Sequence, residues 1–266
     1  MKIGVFDSGF GGLTVLRALL EHIAGADYAY LGDTARLPYG AKSRATVARY
    51  ATSSARFLVE EEGAEFVVIA CNTASALALD AIREAVSVPV LGVVETGANA
   101  ADASSATRDV LVIGTAATVE SHAYAAACAE RKMRAMEKAC PLLVPLVEEG
   151  WTEHPVTEEV VRIYMGELMA QARAAQMKAD TLVLACTHYP LLRETIERAV
   201  PREMRVIDSA EVTAQQVARR LGSGGRGDGV PQVDFFATDS VTKFRDLGTR
   251  FLGQTIPGVR LVDLGG

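Results

Sequence analysis

At 266 residues the chain exceeds one average domain and falls short of two comfortable ones, which admits one large α/β unit or two compact lobes. It is 49% hydrophobic and 23% charged, and no apolar run approaches the ~20 residues of a membrane span, so a transmembrane role is excluded. Lys and Arg number 27 against 33 Asp and Glu, a net charge of −6 without a basic cluster, so no nucleic acid partner is expected. An anionic small molecule stays open, because backbone N–H groups and helix N-termini bind carboxylates without a cation.

The opening MKIGVFDSG places one Lys before a short apolar strand with no long signal-peptide core, so a cytoplasmic protein is expected. Short Val, Ile and Leu runs then alternate with longer Ala-rich amphipathic stretches, the signature of βαβ units around a parallel sheet. Strands are predicted at residues 2–6, 28–31, 66–70, 89–93, 109–113, 142–146, 181–185, 205–207, 233–236 and 259–262. That number invites two sheets. The Gly-rich stretch 222–230 is expected to be an exposed turn.

A faint internal repeat organises the rest. Residues 66–75, FVVIACNTAS, and 181–190, TLVLACTHYP, each read as an apolar strand, Ala-Cys, then hydroxyl and polar groups. Upstream of each lies a strand closing on a small polar turn, IGVFDSGFGG from Ile3 and VLVIGTAATVES from Val110, with Asp7 and Thr115 at the strand ends. The pattern predicts an α/β fold of two similar open parallel-sheet, flavodoxin-like lobes, each presenting one Cys at the carboxyl end of a strand, where such sheets bind ligands. The second Cys unit and its upstream strand fit inside one insertion, and VIDSA from Val206 returns the chain. The expected lobes are therefore discontinuous: residues 1–93 plus 208–266, and residues 94–207.

A thiol at a strand-to-helix junction lies near free N–H groups and the positive end of a helix dipole, which is expected to lower the pKa of Cys71 and Cys186 from ~8.5. One such Cys reads as core packing; two matched ones read as chemistry. Cys128 and Cys140 lack that context and read as packing, and the absence of CxxC pairs argues against zinc and disulfides. Asp7 could orient a thiol or an ammonium group, or cap the helix that follows Gly11. The turn Gly9-Phe10-Gly11-Gly12, with Asp33 at the end of the second strand, also suggests a dinucleotide site, but the third Gly of that fingerprint is replaced by Thr14. His188, two residues after Cys186, can move a proton near neutral pH, whereas Glu148, an acidic loop residue, reads as solvated. Ser8, Tyr39, Gly40, Asn72, Thr73, Thr115, Thr118 and Thr187 add hydroxyls, amides and N–H groups near strand ends, a set suited to a small zwitterion. No metal-ligand set, pyridoxal-type Lys or Walker loop is present, so no metal and no cofactor is expected. Two thiols on facing lobes can flank one carbon, taking a proton from one face and returning it to the other, which is racemisation.

DSGFGGLTV from Asp7, GDTARLPYG from Gly32, ACNTAS from Ala70, PLVEEG from Pro145, ACTHYPLL from Ala185 and VIDSA from Val206 together resemble bacterial glutamate racemase over nearly the whole chain. The two Cys motifs resemble those of the aspartate/glutamate racemase superfamily specifically. The resemblance implies a cofactor-free racemase with glutamate buried between two lobes, supplying D-glutamate for peptidoglycan. It assigns Cys71 and Cys186 as paired acid/base thiols, Cys71 acting on D-glutamate and Cys186 on L-glutamate, with Asp7, His188 and Glu148 assisting. Substrate contacts carry over to Asp7, Ser8, Tyr39, Gly40, Asn72, Thr73, Thr115, Thr118, Thr187 and His188. These positions contain no Arg or Lys, so glutamate is expected to be held by N–H and hydroxyl groups. Residues 95–97 read Glu-Thr-Gly where the family usually has Glu-Pro-Gly, near the expected lobe crossover. Some family members carry an N-terminal extension that binds an activating cell-wall precursor; this chain begins on its first strand, so no such activation is expected. A homodimer stays open. The rival functions are a sister racemase acting on aspartate or another small acid, a nucleotide-binding oxidoreductase, and a non-catalytic amino-acid-binding protein.

Overall fold

The computed structural model describes residues 1–23, 25–222 and 231–265. In chain order the first half runs β1 (Lys2–Asp7), α1 (Leu13–His22), β2 (Asp27–Gly32), α2 (Arg44–Arg56), β3 (Phe66–Ile69), α3 (Asn72–Ala85), β4 (Val90–Gly92), α4 (Val93–Ser104), β5 (Asp109–Gly114), α5 (Ala116–Glu120) and α6 (Ala123–Glu130). The second half runs β6 (Arg134–Ala139), α7 (Leu143–Glu148), α8 (Pro155–Ala174), β7 (Thr181–Ala185), α9 (Arg193–Ala199), β8 (Arg205–Asp208), α10 (Ser209–Leu221), β9 (Val233–Ala237), α11 (Val241–Leu252) and β10 (Arg260–Leu261).

Strands buried on both faces read as unbroken apolar runs, and β3, β5 and β7 are buried at every residue. They form two parallel sheets, one in the order β10-β9-β2-β1-β3-β4 and the other β6-β5-β7-β8. The repeat seen in sequence reappears as topology. The order β2-β1-β3-β4 of the first sheet is matched by β6-β5-β7-β8 of the second, so β1 corresponds to β5 and β3 to β7. Asp7 and Thr115 thus close equivalent strands, as do Cys71 and Cys186.

Helix α4 carries the chain from the first sheet to the second, and α10 leads back to the first. The two helices pack together. Thr96 donates to the Val93 carbonyl and shares a 2.6 Å hydroxyl bond with Thr213, Asn99 Nδ2 donates to Gln216 Oε1 at 3.4 Å, and Arg220 pairs with Glu95 at 3.6 Å. The Thr that stands where the resemblance expects Pro is therefore part of the seam between the crossovers.

Two expectations are corrected. Residues 142–146 form no strand; they lie in the α7 turn, where Pro145 occupies a first-turn position whose N–H needs no helical partner. The strand beside β5 is instead β6, which carries Arg134, Glu137 and Lys138 on a partly exposed edge and so lacks an apolar signature. The Gly-rich turn expected at 222–230 lies, beyond Gly222, outside the described residues. Among the described residues no helix is long and apolar enough to cross a membrane.

Candidate active site

Asp7, at the end of β1, is buried, and its Oδ2 accepts the Gly9 N–H at 2.9 Å while Oδ1 has no partner. It makes no side-chain cap on α1, whose N-cap is Gly12. Burial raises the Asp7 carboxyl pKa; the charge of His188 and the N–H groups of Gly9, Gly12 and Ser8 work in the opposite direction. Gly11 and Gly12 are glycines for reasons of space. A Cβ on Gly12 would lie 2.5 Å from Asp7 Cβ, and one on Gly11 would overlap Thr187 Oγ1 and lie 2.7 Å from His188 Nδ1. The first turn of one repeat is thus pressed against the Cys loop of the other.

Cys71 caps α3: its Sγ accepts the Ala74 N–H at 3.4 Å and lies 3.4 Å from the Ser8 hydroxyl. The helix terminus does not make this thiol acidic. Burial and the negative charge of Asp7 push Cys71 up to about 12, outweighing the hydrogen bonds from Ser8 and Ala74. Local sequence showed the helix end; it could not show the depth or the carboxylate.

Cys186 follows β7 but enters a 3₁₀ turn, Tyr189–Leu192, before α9, so its setting differs from the helix cap at Cys71. Its Sγ lies 4.0 Å from His188 Nδ1, which is also 3.5 Å from Thr187 Oγ1. His188 Nε2 meets Glu148 Oε1 at 3.3 Å, Glu148 Oε2 pairs with Lys243 at 3.6 Å, and Phe251 stands edge-on to the imidazole at 5.1 Å. Burial opposes the imidazolium, but hydrogen bonds and charge from Cys186 and Glu148 prevail and raise His188 to about 10. Burial likewise opposes ionisation of Glu148, and its bond to His188 with the charges of His188 and Lys243 nonetheless hold its pKa below the usual carboxylate range. Cys71, Asp7, His188 and Cys186 therefore form a continuous electrostatic chain from one repeat to the other.

The remaining residues divide. Thr73 at the start of α3 meets Thr115 at 3.0 Å and Thr118 at 3.3 Å, while Thr115 and Thr118 are 2.9 Å apart, a hydroxyl cluster joining the two repeats. Gly40 packs against Thr115, where a Cβ would lie 3.0 Å from Thr115 Cβ. Tyr39 is buried and its hydroxyl is bonded to Asp33, so its side chain is committed to the fold. Asp33 also accepts from Arg36 and Thr238, each at 2.9 Å, so both of its carboxylate oxygens are engaged within the fold. Asn72 is buried; Oδ1 accepts from the Tyr124 hydroxyl at 2.6 Å and Nδ2 has no partner. Cys128 and Cys140 are buried among core side chains of α6 and the β6–α7 junction. Tyr124, Lys243 and Phe251 escape the sequence reading because only distant chain segments bring them here. Among the described residues no cluster of His, Cys, Asp and Glu is arranged to hold a metal.

The family model described as Asp/Glu/Hydantoin racemase matches residues 3–217. The chain is 52% identical to a glutamate racemase of Koribacter versatilis (strain Ellin345), over 99% of this chain and 98% of that protein. Its fold superposes on the crystal structure of glutamate racemase from Thermus thermophilus in complex with β-chloro-D-alanine with a TM-score of 0.86 and 44% identity, covering 99% and 97% of the two chains. The structure of glutamate racemase from Francisella tularensis subsp. tularensis in complex with D-glutamate gives a TM-score of 0.88 at 33% identity, again covering 99% and 97%. With a match across most of its length and full-length relatives of one kind, the chain belongs to the Asp/Glu/Hydantoin racemase family, among its glutamate racemases.

Proposed function

We propose that this protein interconverts L- and D-glutamate by proton transfer between Cys71, Cys186 and the substrate α carbon, without a cofactor, in the cytoplasm, and so supplies D-glutamate for peptidoglycan. The observation that carries the reading is the placement of the two thiols after equivalent strands of two repeats, linked by Asp7 and His188. In this reading the lobes divide as residues 1–93 plus 208–266, and 94–207.

The unmatched groups suit an amino acid. Asp7 Oδ1 is a buried acceptor without a donor, and Asn72 Nδ2 a buried donor without an acceptor. A zwitterion supplies the complement of each: its ammonium for Asp7 and a carboxylate oxygen for Asn72. The Thr73, Thr115 and Thr118 hydroxyls, Thr187 and the backbone N–H groups of the Ser8 and Gly40 turns serve the remaining oxygens.

From D-glutamate, the Cys71 sulfur takes the α proton, leaving the electron pair on a carbanion delocalised into the carboxylate. The Cys186 thiol then donates its proton to the opposite face. From L-glutamate the roles reverse. Each turnover leaves the two thiols with exchanged protonation states, which Asp7 on one side and the His188–Glu148 pair on the other reset. The substrate ammonium beside Asp7 offsets the negative charge that raises Cys71, so the thiol ionises more readily where the substrate is bound.

Initial-rate racemisation in deuterated water tests the scheme. Product should carry solvent deuterium and recovered substrate almost none, whereas a single base serving both faces labels both pools. Cys71→Ser and Cys186→Ser should each abolish racemisation of L- and D-glutamate, followed by chiral chromatography. Full activity in either variant overturns the two-thiol reading, and faster turnover of aspartate than glutamate overturns the substrate.

A further inference from the structure

Tyr124 lies on α6 of the second repeat, fully buried, and its hydroxyl donates to Oδ1 of Asn72, the first residue of α3 in the other repeat, at 2.6 Å. We propose that Tyr124 is a positioning residue: it fixes the Asn72 side-chain amide with its NH₂ facing the substrate carboxylate. The inference rests on the reading above that Asn72 binds that carboxylate.

An Asn amide can be turned about its last bond, exchanging a donor for an acceptor at nearly constant shape. Here the hydrogen-bond accounting selects one orientation. Burial raises the Tyr124 phenol above its ordinary pKa, so the group keeps its proton. Asn72 Oδ1 is the one acceptor for that proton among the described hydrogen bonds. Turning the amide would leave the phenol proton without an acceptor and would aim a carbonyl oxygen at the substrate carboxylate. Both consequences are unfavourable in a buried site.

The phenol is itself backed by main chain. A Cβ on Gly97, in α4, would lie 3.0 Å from Tyr124 Cε1 and 3.1 Å from its hydroxyl oxygen. The glycine of the Glu95-Thr96-Gly97 segment is therefore the floor on which the ring rests. Position is passed from the α4 crossover through Tyr124 to Asn72, and from Asn72 to the substrate.

Steady-state kinetics on L- and D-glutamate with Tyr124→Phe, Asn72→Ala and the double variant test this, with thermal melts to follow folding. Tyr124→Phe keeps the ring and frees the amide; KM should rise on the order of tenfold while kcat stays within about threefold. Asn72→Ala should raise KM at least as much, and adding Tyr124→Phe to it should change nothing further. Gly97→Ala, which displaces the hydroxyl while keeping it, should raise KM in the parent protein and leave it unchanged when added to Asn72→Ala; it reads the same coupling if Tyr124→Phe does not fold. A raised KM in Asn72→Ala with an unchanged KM in Tyr124→Phe overturns the positioning role alone. An unchanged KM in Asn72→Ala overturns the assignment of Asn72 to the substrate, and this inference with it. Equal losses from Tyr124→Phe with and without Asn72→Ala would mark a purely structural role and also overturn it.

Discussion

Replacing Gly11 by Ala should disable the second catalytic half from a residue in the first. The new methyl carbon would overlap Thr187 Oγ1 and lie 2.7 Å from His188 Nδ1 and 2.9 Å from Cε1, whereas ordinary contacts begin at 3.4 Å. The imidazole must therefore retreat by roughly 0.5–0.7 Å and Thr187 Oγ1 by more, or the α1 turn must lift far enough to clear both. Phe251 at 5.1 Å and the 3.3 Å bond to Glu148 hold the ring from the far side, so the strain falls on the His188–Cys186 relation. A displacement approaching 1 Å at a proton-relay group costs up to about 100-fold in rate, and overpacking costs about 1–3 kcal/mol of stability. Racemisation of L-glutamate followed by circular dichroism should show kcat down roughly 10- to 100-fold, with a lower melting temperature. A variant with kcat within twofold of the parent and an unchanged melt would refute the claim that the two repeats are pressed together at this point.

Gly166→Ala is the matching control: it lies in α8 with open space around a Cβ, so helix propensity alone should stabilise the protein by about 0.5–1 kcal/mol without altering kcat. A loss of stability in the melt would contradict this. Thr73→Ala removes a hydroxyl from the Thr73–Thr115–Thr118 cluster and should lower kcat/KM by on the order of 1.5–3 kcal/mol if that hydroxyl meets a substrate carboxylate; a loss below about 0.5 kcal/mol would remove Thr73 from the site. Asp7→Asn deletes a buried carboxyl whose raised pKa makes its ionised form destabilising above that pKa. Above that pKa the variant should melt higher than the parent, be inactive as a racemase, and alkylate faster at Cys71, since one cause of the raised thiol pKa is gone. Slower alkylation by iodoacetamide would overturn that assignment. His188 is raised from about 6.5 to about 10, so its contribution to stability is complete below pH 6.5 and is lost as pH rises through about 10. The melting temperature of the parent should fall more steeply between pH 7 and 10.5 than that of His188→Asn, and parallel curves would sink the idea.

Sequence made the thiols legible because parallel strands buried on both faces leave long apolar runs, and Cys71 and Cys186 stand at the ends of two of them. It failed where burial is one-sided or partners are remote. The edge strand β6 mixes Arg134, Glu137 and Lys138 with Ala and Met and shows no apolar run, whereas the more apolar 142–146 reads as a strand and is instead the first turn of α7, where Pro145 is tolerated. The acidity expected of Cys71 came from a local helix end, but its pKa is set by burial and by Asp7, 64 positions earlier in the chain. The Tyr124–Asn72 bond and the fit of Gly11 on His188 are likewise long-range, and no spacing in a single sequence encodes them.

The same groups that would turn over glutamate are those the fold leaves least satisfied. Asp7 Oδ1 and Asn72 Nδ2 are two of the three buried polar side-chain atoms without a partner among the described residues, and Cys71 is a thiol held near 12 beside a carboxyl that burial also disfavours as an ion. Each unit by which such a pKa exceeds its ordinary value corresponds to about 1.4 kcal/mol against the charged form. An ammonium placed at Asp7 relieves the carboxylate and, through it, the thiol, so substrate binding and base activation draw on one electrostatic source. The converse holds as well. A protein that filled the Asp7 and Asn72 valences from its own chain would be more stable and would leave Cys71 no route from thiol to base.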